Sequence, residues 1–122
     1  MIYFSKDEKC AMIIGLTHIC CSNESKGIAR STVMLRYQDM LGIDHFDTIE
    51  YSNTKNDQVL PTLKGMSNEK KKFYVQMMLA LLLEGGQIDQ HEFDSFFNLC
   101  GACDVPEHIV TEVIEARFGK RK

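Results

Sequence analysis

The chain has no surplus of positive charge. Its 14 Lys and Arg residues stand against 17 Asp and Glu, a formal net charge of -3 with neutral His, which argues against the broad basic field of a nucleic-acid-binding domain. Its two tight basic clusters, Lys70-Lys71-Lys72 and Lys120-Arg121-Lys122, read as solvated helix ends or tails. Long apolar runs are missing too. The stretches Cys10 to Cys21 and Phe73 to Leu83 fall short of the roughly 17 to 25 residues that cross a bilayer, so both are expected as core helices and no transmembrane segment is expected. Met1-Ile2-Tyr3-Phe4 leads directly into Ser5-Lys6-Asp7-Glu8, without the basic start, apolar run and small-residue cleavage site of a secretory signal. The expected location is cytoplasmic. No segment has a strand period, since Tyr3 and Phe4 are too short a run and Val59-Leu60 runs into Pro61. The chain also lacks a G-x-S-x-G elbow, a G-x-x-x-x-G-K-[ST] phosphate loop and an H-E-x-x-H helix, so no catalytic machinery is expected.

The remainder is an ordinary globular balance: 44% apolar and 25% charged over 122 residues, enough for a single domain spanning 1–122. The patterning is helical. Ser5 and Glu8 form a capping box ahead of Cys10, Ile13, Ile14 and Leu16; Asp89 and Glu92 form an Asp-based equivalent ahead of Phe93, Phe96, Phe97 and Cys100. Ser67 is expected to cap the long helix before Gly85-Gly86, and Asp104 with Glu107 to open the last one, with Pro106 in its first turn. Ile109, Val110, Val113 and Ile114 supply that helix's buried stripe, while Arg117 and Lys120 suit its last turn. Helices are predicted near 5–21, 29–42, 44–51, 67–84, 89–102 and 105–118, with the polar stretch Tyr51 to Asp57 dividing the halves. The fold class is therefore all-α, a compact bundle of about six helices.

A shift of 60 residues sets Glu24 on Glu84, Ile28 on Ile88, Asp44 on Asp104 and Ile49 on Ile109. It also sets Val33 on Phe93, Tyr37 on Phe97 and Asp47 on Glu107. Caps and apolar faces are kept, as two equivalent hairpins packed about a pseudo-twofold axis would require. The half-repeats are 5–51 and 65–118.

Three chemistries compete for the motifs. Gly86 to Phe93 resembles the second half of an EF-hand loop, but the early ligand positions would be Leu81, Leu83 and Gly85, which offer no carboxylate. A tight inter-helix turn with Asp89 as cap and Ile88 tucked inward is the simpler reading. The carboxylates Glu24, Glu84, Asp89 and Glu92 nevertheless make a candidate divalent-metal site if the hairpin tips meet, with Asn23, Ser25, His91 and Asp94 nearby in sequence. Cys100-Gly101-Ala102-Cys103 has the spacing of a redox pair or half a soft-metal site. It falls at the end of a helix, where the dipole gives a thiolate little help, and its shifted counterparts Met40 and Ile43 are core residues; packing is the preferred role. Five cysteines cannot all pair, and Cys10, Cys20 and Cys21 lie in apolar helical context, so reduced thiols are expected. His18, among Ile14, Leu16 and Ile19, is expected to complete a buried polar contact. His45 and His108 are expected to face water, His108 one turn from Glu112.

The two-half pattern, together with Leu79 to Phe93 and the Cys100-Gly-Ala-Cys-Asp-Val-Pro-Glu107 turn, resembles the tellurite-resistance TerB-like helical family over about residues 6 to 116. Gly85 stands where that family commonly has Asp, Cys100-Gly101 replaces its Leu-Gly, and Asp104 replaces its Ser or Thr. The resemblance implies a cytosolic helical module linked to tellurite or stress response and to peripheral membrane complexes, with acidic metal-binding surfaces and no catalysis. The expected function is a non-catalytic module that binds a protein partner or a second copy of itself. Divalent metal sensing at the acidic turns is the first alternative, and C-x-x-C redox or soft-metal chemistry the second.

Overall fold

The computed structural model describes residues 2–119; Met1 and the expected Lys120-Arg121-Lys122 cluster lie outside the described residues. The fold is all-α. Six long helices match the predicted ones in order: α1 (Lys6–Cys20), α2 (Gly27–Leu41), α3 (His45–Lys55), α5 (Asn68–Leu82), α6 (Gln90–Ala102) and α7 (Glu107–Phe118). A short α4 (Val59–Lys64) joins the two sets of three, so the dividing segment is mostly helical rather than a polar loop. Tyr51 belongs to α3, where it is buried, and its hydroxyl meets Thr62 Oγ1 at 3.2 Å. Pro61 sits in the first turn of α4, where a missing N–H costs nothing.

The caps explain the helix starts. Ser5 and Glu8 exchange both bonds of a capping box, as do Asp89 and Glu92, and Ser67 Oγ accepts from Lys70 N. Asp44 and Asp47 form a third box at α3. Asp104 departs from expectation: the N-cap of α7 is Pro106, and Asp104 instead closes α6 with a left-handed φ of 53°, a conformation Asp tolerates better than most side chains. The closure of α2 has the same bonds. Gly42 N and Ile43 N donate to Asp39 O and Gln38 O, as Asp104 N and Val105 N donate to Gly101 O and Cys100 O.

Buried residues surround most of α1 (Cys10, Ala11, Met12, Ile13, Gly15, Leu16, Ile19, Cys20) and most of α5 (Lys71, Tyr74, Val75, Met77, Met78, Leu79, Leu81, Leu82). Helices apolar nearly all round belong inside. These two form the centre, with α2, α3, α4 and α6 packed on α1 and with α6 and α7 packed on α5. Gly15 is required at the crossing, because a Cβ there would collide with the Tyr74 hydroxyl, which donates to Met12 O at 2.8 Å. His18 is exposed rather than buried: on a helix buried almost all round it occupies, with Thr17, the strip that reaches water. The 70–72 lysine run is divided among three partners. Lys70 pairs with Glu8 at 2.9 Å, Lys72 with Glu112 at 3.3 Å, and the buried Lys71 donates to Asp104 O at 3.1 Å. Glu112 thus pairs with Lys72 rather than with His108.

Candidate functional site: the hairpin tips and the α6/α7 groove

The α1–α2 turn and the α5–α6 turn do come together, but around cations. Arg30, one turn into α2, and Glu92, in the first turn of α6, are both wholly buried. Arg30 Nη2 donates to Glu92 Oε2 and to Leu82 O, the latter at 2.7 Å; Nη1 donates to Ile19 O and Ser22 Oγ, each at 3.2 Å. The guanidinium therefore satisfies carbonyls at the C-terminal ends of both central helices, where the helix dipole favours a cation. Glu92 Oε1 accepts from Lys26 Nζ at 2.8 Å, from Asp89 N at 3.1 Å and from Asn23 Nδ2 at 3.3 Å. Lys26 Nζ also donates to Gln87 O. Burial pushes the Glu92 carboxyl up, but the hydrogen bonds from Lys26, the Asp89 backbone, Arg30 and Asn23 together outweigh it and hold the group at about 2.

This geometry overturns the expected metal site. Of the four carboxylates, Glu92 has its oxygens taken by two cations and two neutral donors, and Asp89 Oδ1 accepts from Glu92 N at 2.8 Å as the helix cap. Glu24 is exposed at the start of a 3-10 turn over Glu24–Lys26. Glu84 follows α5, close enough to Tyr37 for its charge to raise the phenol, burial being the larger cause. Among the described residues no group of three or more His, Cys, Asp or Glu side chains converges to hold a metal ion. The tips have already neutralised their central anion, and no divalent ion can compete for it without stranding two buried cations.

Gly85 and Gly86 take φ values of 93° and 114°, the left-handed backbone for which glycine is suited. At Gly85 a Cβ would also stand 2.8 Å from Lys26 Cγ. The Lys26 stem, passing over the turn to reach Glu92, leaves no room for a side chain at Gly85.

Among the described residues the cysteine pair has no metal-binding surroundings either. Cys100 and Cys103 are buried free thiols in the core. Burial, and then the neighbouring Cys103, push Cys100 up to about 12; burial, above all, pushes Cys103 up to about 11. Both oppose the thiolate that redox exchange or zinc ligation needs.

The residues that sequence reasoning missed are Lys26 and Arg30. A signal existed for Arg30: it lies on one helical stripe with Val33, Met34 and Leu41, all buried, so its spacing placed a cation on the inward face.

A second feature lies between α6 and α7. Phe93 and Phe97 on α6, stacked at 6.2 Å, line with Val110, Ile114 and Phe118 on α7 an apolar groove of about 930 Å³ that Cys100 and Val105 also line. Phe97 and Phe118 remain 45% and 55% exposed. Glu107 and Glu115 line it as well.

Among the described residues no helix is long and apolar enough to cross a membrane. No family profile matches the chain, and no curated protein matches it. Among solved structures, the crystal structure of PG1108, a protein of unknown function from Porphyromonas gingivalis W83, is similar to it with a TM-score of 0.69 and 18% identity, over 95% of this chain and 91% of that one, a likeness of fold.

Proposed function

We propose that this chain is a non-catalytic protein-interaction module whose docking surface is the α6/α7 groove. One observation carries the reading: aromatic and aliphatic side chains of two adjacent helices line one open groove, with Phe97 and Phe118 exposed at about half their surface, where contiguous apolar surface ordinarily marks a contact site. The TerB-like motifs supply its proposed setting, a stress-related cytoplasmic complex. The same reading takes the fold as a duplicated set of helices. Its support is the central position of α1 and α5, their Ser5 and Ser67 caps, and the matching closures of α2 and α6. In that alignment Lys6 pairs with Asn68 and His45 with Glu107, a frame two residues longer than a shift of 60.

The test compares retention of proteins from the native host by the wild-type chain, by Phe97→Asp and by Glu24→Gln, with native mass spectrometry on each. A partner held by the wild type and by Glu24→Gln but released by Phe97→Asp supports docking in the groove. Retention indifferent to Phe97 contradicts it. A wild-type dimer that becomes monomeric in Phe97→Asp would make a second copy the occupant.

A further inference from the structure

We propose that the α6/α7 groove receives an amphipathic helix of another protein, with apolar anchors about one turn apart and Lys or Arg beside them. The inference rests on the docking reading above and adds the partner's chemistry.

Two helices wall the groove. Phe93 and Phe97 are i and i+4 on α6; Val110, Ile114 and Phe118 are i, i+4 and i+8 on α7. Each wall is thus a row of side chains repeating once per turn, and the Phe93 and Phe97 rings stand 6.2 Å apart. A docking helix repeats its own anchors at i, i+3 or i+4, and i+7, with a pitch of about 5.4 Å. Its knobs match the spacing of these rows, and two helices flanking a third is the ordinary geometry of helical bundles.

Charge chooses among occupants. Glu107 and Glu115 line the groove, and no Lys, Arg or His is among the described residues lining it. Neither glutamate takes part in an ion pair among the described residues. Arg117, the cation on α7, instead lines a separate depression with Glu84. A second copy docking groove to groove would set Glu107 and Glu115 against the same residues across the twofold axis. An anionic lipid surface would meet the same repulsion. A helix flanked by Lys or Arg meets both glutamates with opposite charge, which favours its approach and its orientation.

The experiment selects binders to the full chain from a displayed library of 18-residue helical peptides whose surface positions vary freely. Each clone's affinity is then measured for wild type, Phe97→Asp and Glu115→Lys. Circular dichroism and thermal melting establish that both variants fold; Glu115→Lys changes a partly buried position on α7. The expected clones carry apolar residues at i, i+4 and i+7 with net positive charge, lose at least tenfold on Phe97→Asp and at least threefold on Glu115→Lys, and weaken as salt rises. Clones that need Phe97 but carry no positive bias, or that bind Glu115→Lys equally, overturn the basic-partner inference and leave groove docking standing. Clones indifferent to Phe97, or no clones at all, overturn both.

Discussion

Helix α6 joins two regions that invert the usual arrangement. At its first turn, Glu92, Arg30 and Lys26 bring three charges out of water; along its outer side, Phe93 and Phe97 leave aromatic surface in it. The tips have every central oxygen of Glu92 engaged, whereas the groove has rings partly open to water and two glutamates that form no ion pair among the described residues. A buried charge network is a weak source of net stability but penalises any arrangement that leaves one member alone. It therefore fixes how the two turns meet, and so how α6 sits on α5. The groove contributes little to that frame and, on the proposed reading, is the surface left for a partner.

The sharpest way to break the contrast is to remove the anion. Glu92→Ala strands Arg30 and Lys26 in the interior and is expected to cost about 3–5 kcal/mol in urea unfolding, while Phe97→Ala costs about 1 kcal/mol or less because its ring is half in water. Equal losses would erase the distinction. Gly85→Ala comes next: the left-handed backbone and the Lys26 stem both resist a methyl group, with an expected loss of about 1–3 kcal/mol, whereas Gly101→Ala, within α6 where a Cβ meets nothing, is expected to gain up to about 1 kcal/mol of helix propensity.

Acid titration sharpens the same contrast. Glu92 is held at about 2 against an ordinary 4.5, so its contribution is complete above pH 4.5 and disappears as pH falls through about 2. Stability of the wild type should drop across that window more steeply than that of Glu92→Gln; superimposable acid limbs would remove Glu92 from its central place. The smallest effect belongs to the exposed pair of Lys55 and Asp7, 3.3 Å apart with each side chain about half exposed. Asp7→Asn should stay within about 0.5 kcal/mol of wild type in the same unfolding series.

Local chemistry was readable in the amino-acid order, and long-range chemistry was not. The boxes at Ser5 and Asp89 and the cap at Ser67 form as read, because each needs only residues three positions apart. The six long helices followed from the same signals. α4 escaped because six residues around a proline carry too little period, and Asp104 misled because the Asp, Pro, Glu order of a helix start also suits a left-handed helix end. The spacing of Glu92 from Asp89 suits a cap partner and a metal ligand alike, since nothing within its own helix reveals cations more than 60 positions earlier. The groove was legible only in part. Phe93 and Phe97 read as core residues on an apolar face, and only the position of α7 leaves them partly open.

On the proposed reading, a partner binds at α6 and α7 and not at the tips. Titrating the isotopically labelled chain with a selected basic helix, and following backbone and methyl NMR signals, tests it directly. The expected result is saturable shifts at Phe93, Phe97, Val110, Ile114 and Phe118, with signals of Asn23 to Lys26 and Glu84 to Asp89 unmoved. Saturable shifts centred on those two turns, with α6 and α7 silent, would contradict it.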